Sequence, residues 1–86
     1  MKHRVTITSK PPIAAGVKVV LQKERLNQFD NEAISAWVNG QPAGYVSAFY
    51  KTRKPGTISA GRLFDKIGDI VEGETVGENI VEVEGI

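Results

Sequence analysis

The stretch that decides the fold is Ala33-Ile34-Ser35-Ala36-Trp37-Val38-Asn39-Gly40-Gln41-Pro42-Ala43-Gly44-Tyr45-Val46-Ser47. Ile34, Ala36 and Val38 recur every second residue, with Trp37 on the opposite face, which is the period of a half-buried strand. Asn39-Gly40 supplies two residues that tolerate a left-handed backbone, the strongest short signal for a two-residue hairpin. The chain therefore turns back on itself, and residues 42–47 form the return strand.

The same period of two extends outward in both directions. Val5 and Ile7 alternate with Arg4, Thr6 and Thr8, predicting a strand over residues 4–8 with one buried face. Lys10-Pro11-Pro12 ends it, because proline cannot donate to a ladder. Gly16 introduces a second strand over 16–23, in which Val17, Val19 and Leu21 share a face. Residues 24–31 are a polar connection rich in turn formers. Beyond the hairpin, Phe49 to Gly56 is a basic loop broken by Pro55. Ser59 then offers an N-cap to a helix over 59–67 carrying Leu63, Phe64 and Ile67, with Gly68 as its stop. Residues 69–75 and 79–84 close the chain as a strand pair joined by Gly77-Glu78-Asn79. Six short strands and one short helix without a βαβ rhythm predict a mostly β fold, a small barrel or strongly bent sheet in a single domain over residues 1–86. Val5, Ile7, Val19, Leu21, Ile34, Val38, Leu63 and Ile67 are its expected core.

Composition excludes several classes. With 41% hydrophobic and 24% charged residues the chain matches a globular domain and not a disordered segment. No apolar run approaches a membrane span, and Met1-Lys2-His3-Arg4 is not followed by the apolar stretch of a signal peptide. Zero cysteines exclude disulfides and thiolate metal sites and suit a reducing, cytoplasmic setting. His3 is the only histidine, and its terminal position argues against a Ser/His/Asp triad or a histidine metal site. Gly56-Thr57-Ile58-Ser59-Ala60-Gly61-Arg62 has the outline of a phosphate loop. It lacks the lysine, however, and carries Leu63 where a magnesium-binding hydroxyl belongs. Glu72, Glu74, Glu82 and Glu84 follow an i, i+2 pattern that suits the wet face of strands. No catalytic constellation emerges, and no cofactor is expected.

Charge is unevenly distributed. Residues 1–62 hold ten basic and three acidic side chains, a net of +7, whereas residues 63–86 hold seven acids and only Lys66, a net of −6. This division predicts a positive surface around Arg25, Lys51, Arg53, Lys54 and Arg62 opposite an acidic closing hairpin; the alternative is that folding intermixes the two signs. Phe49-Tyr50-Lys51-Thr52-Arg53-Lys54 interleaves rings with cations, a pattern suited to stacking on bases while neutralising phosphates. The same rings could instead cover one end of the fold. Arg62 and Lys66 share a helix face and could meet phosphate, or pair with Asp65 or Asp69.

The segment Glu24-Arg25-Leu26-Asn27-Gln28-Phe29-Asp30-Asn31-Glu32-Ala33-Ile34, followed by Gly44-Tyr45-Val46, resembles the central signature of the HIRAN domain family. Gly56 to Ile67 is similar to the helix region of that family's stand-alone bacterial or phage type, and the likeness spans residues 16–84. The resemblance implies an OB-like barrel with a helical appendage and a groove for single-stranded DNA, with the free 3′ end as the element read. It further implies that Asn27 shapes the pocket, Phe29 stacks on the last base, Asp30 accepts from the terminal hydroxyl, and Tyr45 flanks the groove. Phe29 stands where the family's best understood member has Tyr, keeping the stacking face and losing a hydroxyl. Ala48 replaces an expected basic residue, with Lys51 or Arg53 as substitutes, and Thr6-Ile7-Thr8-Ser9-Lys10 lacks the family's N-terminal Arg-Tyr pair. The residues alone leave Asp30 a second role, as the acceptor of an Asx turn. The function expected is a non-enzymatic, single-stranded-DNA-binding module working beside helicase or nuclease machinery in DNA repair or replication. The alternative is a protein-interaction module that presents an edge strand and an acidic tail.

Overall fold

A computed structural model describes residues 1–85. Its elements are β1 (Lys2–Ser9), β2 (Lys18–Lys23), β3 (Ile34–Val38), β4 (Gln41–Val46), α1 (Ala60–Phe64), β5 (Ile70–Gly77) and β6 (Ile80–Glu84). The six strands close into an antiparallel barrel in the order β1-β4-β3-β2-β5-β6. Closure gives each strand a neighbouring strand on both sides, so none is a free edge along its whole length. The edge strand invoked for a protein-interaction module is therefore not available.

The hairpin at Asn39-Gly40 forms as its residues dictate, with φ of 52° and 75° at the two positions, the left-handed pair of a tight primed turn. A bulge between Ala36 and Trp37 shifts the β3–β4 register. Past that bulge Val38 still packs against the core but is only half-buried, unlike the other seven expected core residues, which are buried. Val5, Ile7, Val19, Leu21, Ile34, Ala36, Val81 and Val83 fill the interior. Ala60, Leu63, Phe64 and Ile67, from α1 and the turn after it, join the same core.

The helix is shorter than its apolar spacing predicts. Ser59 does cap it, its hydroxyl accepting from the Arg62 N–H. At the other end the Lys66 N–H donates to the Leu63 carbonyl at 2.8 Å, a three-residue closure that ends the α pattern at Phe64. Gly68 takes no part in that stop, and Ile67 reaches the core from the following turn.

Thr6 departs from the alternation. It points away from the barrel interior yet is buried, because residues 53–58 fold over that face and Ile58 bridges in parallel to Val5. Its hydroxyl accepts the Lys54 N–H at 2.9 Å and shares a hydrogen bond with the Thr57 hydroxyl at 2.9 Å, while Thr57 donates to the Lys54 carbonyl at 2.6 Å. The basic loop is thereby bolted to β1.

Two glycines are required by close approach. A Cβ on Gly44 would lie 2.1 Å from the Thr8 carbonyl oxygen across the β1–β4 pair, and one on Gly73 would lie 2.5 Å from both the Glu82 carbonyl oxygen and Val83 Cγ1. Neither neighbour can yield, since one is ladder backbone and the other is core. Gly44→Ala is expected to cost about 1–3 kcal/mol, the range for forcing atoms into a packed structure. Gly68→Ala, which meets open space, is expected to change stability by only about 0.5 kcal/mol or less. Denaturant unfolding midpoints of the two variants provide the check.

Candidate nucleic-acid interface

The segment 24–33 is held in one shape by its own side chains. Asn27 Oδ1 accepts the N–H groups of Phe29 at 2.8 Å and Asp30 at 3.1 Å, and its Nδ2 donates to Glu24 Oε1 at 3.0 Å. Asp30 Oδ1 accepts the Glu32 N–H at 2.9 Å, so Asp30 does form the Asx turn that its residue type allows. Because Asn27 and Asp30 absorb the turn's backbone donors, the apolar ring between them is free to project outward. Phe29 is 89% exposed.

Across from this turn stands β4. The Tyr45 hydroxyl donates to the Glu24 carboxylate at 3.0 and 3.2 Å. That hydrogen bond, followed by partial burial and the charge of Glu24, raises the phenol's pKa above its ordinary value. Tyr45 thus stays protonated and anchored. Glu24 connects the two sides of the site, gripping Asn27 on the turn and Tyr45 on the strand.

After β4 the chain bends at Ser47. The Ser47 and Thr52 hydroxyls hydrogen-bond to each other, and the one that accepts in that bond donates its own proton to the Phe49 carbonyl, which lies 3.2 Å from Ser47 Oγ and 3.1 Å from Thr52 Oγ1. This clasp fixes the loop from which Phe49 projects, 74% exposed. Between the turn, the β4 strand and the clasped loop lies a groove of about 470 Å³ lined by Asn27, Phe29, Asp30, Tyr45 and Phe49, with Ala33, Ile34 and Val46 among its apolar lining. Its rings can sandwich or stack on planar groups, and the Asp30 carboxylate can accept hydrogen bonds beside them.

Four of the sequence-derived site residues, Asn27, Phe29, Asp30 and Tyr45, therefore meet in one place. The others do not. Arg25 Nη2 lies 2.9 Å from Asp69 and its guanidinium sits 5.2 Å from the Phe64 ring, in a separate depression of about 630 Å³. Tyr50 is 75% exposed but lies outside the groove lining, as does Lys51 on the same loop. Arg53 Nη1 donates to the Thr57 carbonyl at 2.9 Å, which ties it to the loop's inner side and removes it as a substitute for the cation absent at Ala48. Lys54 Nζ donates to the Glu78 carbonyl at 2.5 Å and lines a neighbouring groove. Arg62 lies in α1, outside the lining. Phe49, one of the two loop rings offered for stacking on bases, does reach the groove, while Glu24, which braces it, and Thr52, which lines it, were not among the expected site residues. Glu24 was visible as the first residue of the Glu-x-x-Asn pattern; Thr52 had no signal, since a hydroxyl in a polar loop is unremarked until the loop closes.

The charge division along the chain does not survive folding as two faces. Strand register sets basic β1 directly against acidic β6, pairing Lys2 with Glu84 and Arg4 with Glu82. Arg4 Nε lies 3.0 Å and Lys2 Nζ 3.6 Å from the Glu82 carboxylate, Lys18 Nζ lies 3.7 Å from Glu72, and Lys54 Nζ lies 3.9 Å from Glu78. With Arg25 on Asp69, the continuous positive surface expected around Arg25, Lys51, Arg53, Lys54 and Arg62 is broken up. Among the described residues no three His, Asp or Glu side chains cluster to hold a metal ion, and no helix is long and apolar enough to cross a membrane.

Comparison with profiles of known protein families, with curated proteins and with solved structures found no significant match to this chain.

The Arg4 hydrogen bond, with Lys2 alongside, holds the Glu82 carboxyl below the usual carboxylate range, against a smaller opposing effect of burial. A carboxylate with a depressed folded pKa stabilises the fold above its unfolded pKa, ordinarily about 4.5, and that contribution is lost as the pH falls through the folded value. Unfolding free energy measured from pH 6 downward is therefore expected to decline below about pH 4.5, with a shallower decline in Glu82→Gln.

Proposed function

We propose that this chain is a non-enzymatic binding module for single-stranded nucleic acid, of HIRAN-like type, whose aromatic groove receives a strand end. The observation that carries the reading is the convergence of Phe29, Tyr45 and Phe49 on one groove, two of them more than 70% exposed. Large exposed rings gain nothing from water, and when clustered on a small domain they mark a recognition surface. Bases supply the matching planar faces whatever the sequence. The likeness of residues 24–34 to the HIRAN signature supports the same site, because its Asn, aromatic and acidic positions are the ones that line the groove. A setting beside DNA repair or replication enzymes follows from that likeness.

Asp30 makes the reading specific for an end. With Oδ1 engaged by the Glu32 N–H, the remaining carboxylate lone pairs can accept from a terminal sugar hydroxyl, whereas a terminal phosphate would bring negative charge against it. Labelled oligonucleotides ending in a 3′-hydroxyl or a 3′-phosphate are titrated at two salt concentrations. The intact protein is expected to prefer the hydroxyl end. Asp30→Asn keeps an acceptor for the turn while removing the charge, and should abolish most of that preference. Phe29→Ala should weaken both strands by about 1–3 kcal/mol, the usual contribution of one base–aromatic stack. Equal binding of the two ends by the intact protein would refute end reading, and salt-independent binding would refute phosphate contact altogether.

A further inference from the structure

We infer that the groove next to the aromatic one is a second subsite, for the sugar–phosphate backbone of the residues behind the bound end. This inference rests on the nucleic-acid reading above. The second groove, of about 520 Å³, lies over the end of β1 and shares Thr8 and Thr52 with the aromatic groove, so the two form one path across the surface. Their linings differ in kind. The second contains no aromatic ring; Lys10, Lys54 and hydroxyl side chains replace the rings. A chain whose terminal base stacks in the first groove must carry a phosphodiester into the second, where two ammonium groups wait.

The hydroxyls there are already committed as donors. Thr8 Oγ1 donates to the Tyr45 carbonyl, and Ser9 Oγ faces the Pro11 carbonyl and Asn79 Oδ1. The anion must therefore be met by the lysines. Among the described residues Lys10 makes no ion pair. Lys54 is pre-placed: its N–H is held by Thr6 and its carbonyl by Thr57, so the backbone that carries the side chain does not have to be ordered on binding. Its ammonium has three donors, of which one goes to the Glu78 carbonyl. The Glu78 carboxylate, 3.9 Å away, is the group that an incoming phosphate displaces, and it acts as a gate on the subsite's affinity.

The test uses a labelled thymidine tetranucleotide and the full chain. Lys10→Ala and Lys54→Ala are each expected to weaken binding roughly three- to tenfold. Each should also flatten the slope of log affinity against log salt by about 0.7. Glu78→Gln should tighten binding roughly two- to fivefold by removing the competing carboxylate. Because the second groove has nothing to stack on, an abasic residue at the penultimate position should be tolerated, whereas one at the terminal position should not. Circular dichroism confirms that each variant is folded. If Phe29→Ala loses binding while the lysine and Glu78 variants keep the intact protein's affinity and salt slope, the second subsite is refuted and the aromatic groove stands alone. If the intact protein binds no oligonucleotide, both readings fall.

Discussion

The structure depends on β1 pairing with two different strands. Its first half, Lys2 to Thr6, runs against β6, and its last three residues, Ile7 to Ser9, run against β4. The sheet closes because one strand serves both ends of it. At the changeover, the Thr6 carbonyl accepts from Ser47 and the Ile7 N–H donates to the Asn79 carbonyl, each at 2.8 Å. The chain entering the site loop and the turn of the closing hairpin are thus both tied to consecutive residues of β1. Non-local pairings of this kind carry a loop-closure cost that only the completed barrel offsets, so the closing contacts form cooperatively with the core.

From that changeover the candidate site follows. Thr6 holds Lys54 and Thr57, Ser47 and Thr52 clasp the loop at Phe49, and Glu24 joins the Asn27 turn to Tyr45. Most of these contacts join one polar side chain to another, and none of them covers the rings of Phe29 and Phe49, which stay exposed. In a barrel this small the interior is filled by branched aliphatic residues, with no room for Phe29 or Phe49 inside. Aromatic side chains excluded from a core must either cover it or contact something else. Phe64 covers it, flanked by Lys23 and Arg25 over its ring; Phe29 and Phe49 line a groove.

The electrostatics carry a related lesson. A chain divided into +7 and −6 portions would be strongly dipolar if the portions folded apart. Antiparallel pairing of the two termini instead lays one on the other, and most of the resulting pairs are exposed, each worth about 1 kcal/mol or less. They engage Lys2, Arg4, Lys18, Arg25 and Lys54; among the described residues Lys10, Lys23, Lys51, Arg53, Arg62 and Lys66 lie outside these ion pairs, with Lys10 lining the groove at the end of β1 and Lys51 on the loop beside it.

Strands, hairpin, helix cap and most of the core were legible in the sequence, because each rests on spacing or turn chemistry within about ten residues. Val5 and Ile7, Asn39-Gly40 and Ser59 behave as their local patterns require. The Asn27–Asp30 turn was likewise legible, being built from hydrogen bonds between near neighbours. Tertiary structure alone decided the burial of Thr6 and the partners of Arg25 and Lys54, each of which depends on a segment distant in sequence arriving at a surface whose local pattern says only that it is polar or apolar. The bulge before Val38, the bond that ends α1 and the Arg53–Thr57 contact are local, but no residue spacing announces them. Periodicity reports which side of a strand is wet in isolation; which other segment then covers that side, and which charge it brings, is set by the closure of the barrel.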